Sequence, residues 1–475
     1  MLFNSRLFIL GFLPLALGGF LVLGRRRDDA LWWLLGCCLV FYAWWKPPML
    51  ALLLASIIVN FCAAWLMARA KRRKAWLVAG LGFNLGLLGV FKYGGFLAGL
   101  FGVAGPGLAL PLGISFFTFQ QIMFLVDSYR GEVKPPPFLD YACFIAFFPH
   151  LIAGPIVRPR HILPQLATLA PRLDVQARLA AGAELFLLGL AKKIVLADGL
   201  ARFADPGFAA AGRGDAISLI EAWVALLAYG LQIYFDFSGY SDMAIGLARL
   251  FGISFPLNFR SPYQARDISE FWRRWNITLS GFLKDYLYIP LGGNRQGEGK
   301  RVRNLMLTML LGGLWHGAAW RFLLWGGLHG VFLVVHGWSK RLRLALPRRL
   351  SWGITLLAVL LAWVPFRAQN FGAALAMYRG LFGLNGLAVP AMLAPMLPGL
   401  GHVVPVLPWL GDARSMSLPQ GALLLALGWF IALCLPDLHS MGKRRREVAL
   451  VASIAFSLQA LFFAPAAIPF LYFQF

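Results

Sequence analysis

The stretch LFILGFLPLALGGFLVLGRRR, residues 7–27, places eighteen apolar or small residues directly before three arginines. This length is close to the roughly 20 residues that a helix needs to cross a bilayer. A secretory signal peptide would have a basic segment before the run and a small-residue cleavage site after it, and neither is convincing here. The pattern predicts a first spanning helix that ends at a basic, cytoplasmic surface.

The rest of the chain repeats this pattern. Of its 475 residues 59% are hydrophobic, and the mean hydropathy is +0.69. A β-barrel would show short alternating strands, whereas these runs are solidly apolar. We predict an all-α, polytopic membrane protein with about eleven or twelve hydrophobic segments, some re-entrant or interfacial. One membrane domain is expected over 1–475, with N-terminal spanning helices at 1–105, a core at 106–338 and C-terminal spanning helices at 339–475.

The net charge of +24 comes from Lys and Arg residues that lie between the apolar runs. A nucleic-acid-binding protein would gather these charges on one soluble face, so we expect no nucleic-acid partner. Basic loops of this kind are cytoplasmic and rest against anionic membrane lipid. Five scattered cysteines lack metal-ligand spacing, and no metal site is expected. The clusters lie at 25–27, 69–74, 340–349 and 443–446.

The segment LGGLWHGAAW, residues 311–320, sets His316 in the middle of an apolar run. A side chain that exchanges protons near neutral pH is costly to surround with hydrocarbon, so its position requires a reason. The histidine either bonds a neighbouring helix as packing or takes part in chemistry. A second histidine, His329, follows thirteen residues later and would not share a face with His316 on one continuous helix.

Polar residues also interrupt the apolar segment at 229–253. Asp236 and Asp242 are six residues apart, which places them about 240° apart around an ideal helix, so they do not share a face. Each either bonds within the helix bundle or faces a cavity. His150, in FFPHLIAGP, lies in a broken-helix pattern that can line a cavity, and we expect a structural or tunnel-lining role for it.

The most charged long stretch is 260–295, where basic and aromatic residues alternate. It suits a helix at the membrane surface or dipping into the protein, starting at Asp267 to Glu270. Such a helix can serve as an anchor only. Alternatively, Arg273 and Arg274 could grip a cytosolic, phosphate-bearing donor whose reactive end enters the bundle.

Seven ordered motifs carry a resemblance to a known family. The chain resembles the membrane-bound O-acyltransferase family nearly end to end, and within it the alginate O-acetyltransferase branch. The resemblance implies that 106–338 is a catalytic core and that His316 is the family's invariant histidine. The motifs are PLGISFFTFQ (111–120), FFPHLIAGPIVRP (147–159), IYFDFSGYSDMAIG (233–246), FWRRWNITLSGFLKDYLYIPLGGNR (271–295), LWHGAAW (314–320), WVPFRA (363–368) and FLYFQF (470–475).

Asn276 stands where many members of this bacterial branch carry histidine. Asparagine can donate a hydrogen bond to an acyl carbonyl or an acceptor hydroxyl, but it cannot carry the proton. The resemblance therefore implies catalysis with His316 as general base and Asn276 as hydrogen-bond donor, or a packing role for Asn276. Substrate-binding candidates are Arg273, Arg274, Trp275, Asp236, Asp242, His150 and Trp315.

The resemblance implies an O-acyltransferase, most simply an O-acetyltransferase, of the bacterial inner membrane. It would move an acyl group from a cytosolic thioester, acetyl-CoA or similar, to or toward an exported polysaccharide, with no bound cofactor. A periplasmic SGNH-type acetyltransferase subunit is the expected partner. D-alanyl transfer to teichoic acid and a transporter or flippase are the alternatives. The sequence does not name the polysaccharide.

Overall fold

The computed structural model describes residues 1–105, 107–344, 346–386, 418–463 and 468–471. Throughout these ranges the regular structure is helical, with no strand. The prediction of an all-α fold is confirmed. The last four residues of the FLYFQF motif lie outside the described residues.

The chain divides into two compact units. The first comprises Met1–Leu190, Gly239–Asn258 and the described part of Glu447–Gln474. Two π-helical segments, Leu7–Phe12 and Gly89–Tyr93, continue into α-helices. The helices up to residue 191 are α1 Leu13–Leu23, α2 Arg27–Ala43, α3 Pro48–Arg69, α4 Arg73–Leu88, α5 Gly94–Leu100, α6 Ile114–Arg130, α7 Phe138–Ala146, α8 Phe148–Leu151, α9 Pro159–Ala167 and α10 Val175–Ala191.

The second unit comprises Ala191–Ser238 and Phe259–Arg446. One π-helical segment, Lys192–Ala197, leads into the first α-helix of this unit, and another, Lys284–Tyr288, follows Leu283. A 3-10 turn covers Pro262–Gln264. The remaining helices are α11 Asp198–Arg213, α12 Leu219–Leu250, α13 Ile268–Arg274, α14 Ile277–Leu283, α15 Glu298–His316, α16 Trp320–Arg341, α17 Arg348–Arg367, α18 Phe371–Leu381, α19 Leu418–Cys434 and α20 Lys443–Phe463.

Five helical stretches in the described residues are long and apolar enough to cross a membrane. Two shorter apolar stretches, Leu7–Leu23 and Gln420–Cys434, accompany them. The predicted total of eleven or twelve hydrophobic segments stays a prediction, as does the division at 105 and 338. The five stretches are Pro48–Arg69, Arg73–Leu100, Leu219–Leu250, Trp320–Arg341 and Arg348–Arg367.

A buried polar cluster joins three helices of the first unit. Ser56 Oγ on α3 donates to Gln121 Oε1 on α6 at 2.9 Å, and Asn84 Nδ2 on α4 donates to Asn60 Oδ1 at 2.5 Å. Asn60 also donates to the Gln121 oxygen. Because hydrocarbon offers these groups no partner, their bonds hold the helices together.

In the second unit, α15 and α16 form a helical hairpin with backbones in close contact. A Cβ on Gly313 would collide with the Phe322 carbonyl oxygen, and a Cβ on Gly326 would collide with the Met309 carbonyl oxygen. Small residues permit such close approach between membrane helices. At the basic end, Arg341 pairs with Glu298 at 2.6 Å, so the start of α15 lies beside the end of α16.

We expect Gly326→Ala to lower the free energy of unfolding by about 1–3 kcal/mol, because the added methyl group meets backbone that cannot move aside. The adjacent Gly327→Ala is the matched control, since its Cβ would lie an ordinary 3.6 Å from the flexible end of Leu310. The thermal unfolding midpoint of the purified protein in detergent measures both. Equal midpoints for the two variants would contradict this account of the hairpin.

Candidate functional site

The basic segment 260–295 starts as predicted but does not form one helix. Asp267 caps α13, its Oδ1 accepting from the Glu270 N–H at 2.7 Å. The helix ends at Arg274, and α14 begins at Ile277. The break lies at Trp275 and Asn276.

Asn276 has left-handed backbone torsions, φ 42° and ψ 56°, which asparagine tolerates better than most residues. Its carbonyl oxygen accepts from the Ser280 N–H at 3.0 Å, while its side chain makes no cap bond to α14. The residue is buried. The left-handed backbone by itself therefore favours asparagine at this position, and the side-chain amide is available for another role.

His316 is the last residue of α15 and is 7% exposed. Three aromatic rings surround its imidazole edge-to-face, with centroid distances of 4.8 Å to Trp315, 5.0 Å to Trp325 and 5.2 Å to Phe366. Gly317 has extended torsions and ends the helix directly after the histidine. His316 thus lies at a helix end, enclosed by rings from three helices of the second unit.

His329 lies one turn beyond Trp325 on α16, which is continuous through Gly326 and Gly327. It is fully buried, and its ring centroid lies 4.9 Å from Trp325 and 5.1 Å from Trp272. Neither of its ring nitrogens has a hydrogen-bond partner among the described residues. Trp325 therefore contacts both histidines and joins them into one cluster.

Trp363 extends this cluster to the Asn276 turn. Its rings lie 5.7 Å from Trp325 and 5.0 Å from Trp275. Trp275 is itself enclosed by aromatic rings, including Phe271 at 5.6 Å. The structure therefore brings the predicted residues His316, Trp315 and Trp275 into one aromatic cluster, and Asn276 follows Trp275 directly in the chain. Trp363 connects the two parts of the cluster and was not among the predicted residues.

Arg273 and Arg274, the two arginines predicted to bind the acyl donor, differ in their contacts. Arg274 Nη2 donates to Glu270 Oε1 at 2.6 Å, whereas Arg273 is exposed. Burial would raise the pKa of Glu270, but the hydrogen bond from the Arg266 N–H and the ion pair with Arg274 hold this pKa below its ordinary value. Arg274 therefore stabilises α13, and Arg273 remains accessible to a ligand.

Asp236 on α12 belongs to a buried ionic cluster. Lys193 Nζ lies 2.7 Å from Asp236 Oδ1 and 2.7 Å from Asp198 Oδ1, and the Lys193 and Asp236 side chains are only 2% and 3% exposed. A buried charge needs such a partner. Lys193 was not among the predicted site residues, although a lysine within the largely apolar segment AKKIVLAD was a visible signal.

Two further candidates, Asp242 and His150, belong to the first unit. Asp242 is buried on the last turns of α12. His150 lies on α8 after the break at Phe147, and its Nε2 is 2.8 Å from the Phe144 carbonyl oxygen. Its ring stacks on Phe255 at 5.1 Å. These contacts are compatible with a structural role for His150 in packing. A tunnel-lining role for it stays a prediction.

Several known proteins are similar to this chain. The profile of the membrane-bound O-acyltransferase family matches residues 30–371. A peptidoglycan O-acetyltransferase of Helicobacter pylori is 43% identical over 430 residues, covering 82% of this chain and 81% of the relative. A probable alginate O-acetylase of Azotobacter vinelandii is 38% identical over 443 residues, covering 86% of each chain. A teichoic acid D-alanyltransferase of Streptococcus thermophilus is 29% identical over 240 residues, covering 48% of this chain and 58% of the relative.

The chain is therefore a multi-pass membrane protein whose apolar helices enclose a histidine and a polar turn. It belongs to the membrane-bound O-acyltransferase family and is an acyltransferase. The resemblance drawn from the motifs is confirmed. The roles of individual site residues stay predictions.

Proposed function

We propose that this protein transfers an acetyl group from a cytoplasmic thioester to, or toward, the hydroxyl of an exported polysaccharide. The observation that carries the proposal is the position of His316 at the end of α15, enclosed by Trp315, Trp325 and Phe366. A titratable ring sealed from bulk water by protein suits proton transfer during acyl transfer.

In the proposed reaction the acceptor hydroxyl oxygen attacks the thioester carbonyl carbon. His316 takes the hydroxyl proton, the carbon–sulfur bond breaks, and the proton passes to the leaving thiolate. The neutral imidazole is the base in this step. Direct transfer is preferred because no serine or cysteine adjoins His316 in the sequence as a covalent relay.

Asn276 would act as the hydrogen-bond donor to the acyl carbonyl oxygen, where negative charge develops. Its left-handed backbone forms the turn between α13 and α14, and its side chain makes no cap bond to α14. Trp275 and Trp363 connect this turn to the His316 cluster. A packing role for the amide is the alternative.

The donor would enter from the cytoplasmic side. Three features lie at the same end of the second unit as the basic cluster 340–349: the Glu298–Arg341 pair, the 3.4 Å approach of His336 to Asp267, and the exposed Arg273. Basic clusters mark the cytoplasmic side. The thioester of acetyl-CoA or a similar donor would serve as substrate, and no resident cofactor is proposed.

The polysaccharide acceptor follows from the relatives that act on peptidoglycan and alginate. D-alanyl transfer is the second candidate, supported by the weaker match to a teichoic acid D-alanyltransferase. The family resemblance supports an inner-membrane location and a periplasmic SGNH-type partner that completes the transfer.

We expect His316→Ala to lower acetyl transfer by about 10²- to 10⁴-fold, the usual contribution of a general base. The acetyl content of the exported polymer, normalised to the amount of protein in the membrane, measures the effect. His336→Ala removes a histidine outside the aromatic cluster and should retain activity. Normal acetylation by the His316 variant would refute the assignment.

Asn276→Ala is expected to lower turnover by about 10²-fold. Because alanine is also strained at positive φ, Asn276→Gly is needed to separate the two effects. Glycine accepts the backbone and removes the amide, so it should be as inactive as alanine while remaining well folded. Full activity of the glycine variant would return Asn276 to a purely conformational role. Asn276→His should retain part of the activity.

Arg273→Gln should raise the KM for the donor more than it lowers kcat, because the charge binds a part of the substrate that does not react. Labelled acetyl-CoA supplied to inside-out and right-side-out vesicles tests both the affinity and the side of entry. Arg274→Gln is the contrasting variant, since losing the Glu270 pair should lower stability instead. An unchanged donor KM in the Arg273 variant, or labelling from the outer face only, would exclude this route.

A further inference from the structure

Arg321 is the second residue of α16, one of the helices long and apolar enough to cross a membrane. It directly follows the motif LWHGAAW and is itself followed by Phe322. An arginine in such a segment is costly unless it pairs with another side chain or bonds to backbone carbonyls. Its side chain makes two bonds of the second kind, and both reach the end of α17.

These two bonds hold the backbone where α17 ends. Arg321 Nη1 donates to the Phe366 carbonyl oxygen at 2.9 Å and to the Ala368 carbonyl oxygen at 2.7 Å. The last carbonyls of a helix have no partner inside the helix, and both of these residues are buried. Arg321 therefore satisfies two acceptors and joins the start of α16 to the end of α17.

Phe366 connects this joint to the candidate general base. Its ring meets the His316 imidazole at a centroid distance of 5.2 Å and an interplanar angle of 73°. The same ring contacts Trp325 at 5.1 Å and Trp363 at 5.3 Å. Because hydrogen bonds from Arg321 hold the backbone of Phe366 and neighbouring rings hold its side chain, Phe366 has little freedom to move away from the imidazole.

Phe322 gives Arg321 a second link to the histidine. The guanidinium carbon of Arg321 lies 4.3 Å from the Phe322 ring centroid, within the range of a cation–π contact. The Phe322 ring contacts Phe366 at 5.2 Å, and it covers Gly317, where an added Cβ would collide with it. Gly317 follows His316 directly in the chain. The backbone after the histidine and a ring that encloses it are therefore both packed around Arg321.

A neighbouring arginine ties the same helix end to a different helix. Arg367 Nη2 donates to Asp205 Oδ1 on α11 at 2.8 Å, and the Arg367 guanidinium carbon lies 5.8 Å from the Phe208 ring centroid. Arg367 therefore anchors α17 to α11, whereas Arg321 anchors it to α16. The two arginines form a matched pair for separating a general tether of α17 from control of the Phe366 ring.

We propose that Arg321 is a positioning residue for acyl transfer, which fixes Phe366 against the His316 imidazole and so holds that imidazole in one orientation. The proposal rests on the proposed function, because it assigns the orientation of the general base. A base acts only when its nitrogen is within hydrogen-bond reach of the proton it removes, and a displacement of about 1 Å can cost about 10²-fold in rate. Arg321 acts through Phe366 and does not itself bind substrate.

Steady-state kinetics of the full-length protein in membrane vesicles test this role. Arg321→Met removes the hydrogen-bond donors and keeps an apolar stem, so kcat should fall about tenfold or more with little change in the KM for acetyl-CoA. Arg321→Lys keeps a donor and should recover part of kcat. Arg367→Met breaks the Asp205 pair instead and should keep kcat close to the wild-type value. An equal loss of kcat in the Arg367 variant would overturn the specific role of Arg321.

A double-mutant cycle shows whether Arg321 acts through Phe366. Phe366→Leu keeps apolar bulk and removes the aromatic ring. If the ring is what Arg321 positions, the double variant with Arg321→Met should be no less active than Phe366→Leu alone. Losses in kcat that multiply in the double variant would contradict the proposal.

Chemical labelling of the imidazole gives a readout that does not depend on turnover. Diethyl pyrocarbonate modifies accessible histidine nitrogens, and mass spectrometry measures the rate of labelling at His316. Arg321→Met should label faster than the wild type, and Arg367→Met should label like the wild type. A lower thermal midpoint of Arg321→Met with wild-type kcat and labelling would make Arg321 purely structural and overturn the proposal.

The same measurements separate this proposal from the proposed function. Full activity of His316→Ala would refute the general base, while the labelling rate would still decide whether Arg321 maintains the enclosure of His316. An inactive His316→Ala variant together with wild-type kcat and labelling in Arg321→Met would leave the proposed function standing and overturn the positioning role alone.

Discussion

The close approach of the α15 and α16 backbones at Gly313 and Gly326 is the constraint on which the site depends. It carries α15 to its end at His316 beside Trp325, which projects from the neighbouring helix. Larger residues at the two glycines would separate the helices and move the imidazole away from its aromatic enclosure. In hydrocarbon, where helices gain little from hiding apolar surface, this close packing is a main source of association.

The same hairpin sets the distance of His316 from the basic end of the second unit. Glu298 and Arg341 pair at the basic end, and eighteen residues of helix carry the chain from there to His316, a rise of about 27 Å. The Asn276 turn joins the cluster through Trp275 and Trp363. Arg273, by contrast, lies near the basic end of the second unit, on the helix that precedes this turn.

A buried polar group needs a hydrogen-bonding or ionic partner, and most of those described in the two units have one. Lys193 and Asp236 satisfy each other, and Asn60, Asn84 and Gln121 do so in the first unit. Removing one partner of such a pair would leave a buried polar group or charge uncompensated, which is strongly destabilising. His329 differs, because its nitrogens have no hydrogen-bond partner among the described residues and the rings of Trp272 and Trp325 contact it. This contrast distinguishes His329 from the polar groups that join the helices.

The sequence determined the helical membrane class, since apolar runs of spanning length between basic clusters satisfy the backbone only as helices. It also singled out His316, because the free-energy cost of placing a titratable side chain in an apolar run is evident without a structure. It predicted the start of α13 at Asp267 as well. Only the tertiary structure decided which polar residues meet. Asp236 belongs with Lys193, more than forty residues earlier, and Arg274 is held by Glu270 while Arg273 is exposed. The pairing of Asp236 with Lys193 depends on how distant segments pack, which local spacing does not encode, whereas Glu270 and Arg274 lie one turn apart on the same helix and their pairing follows from i,i+4 spacing.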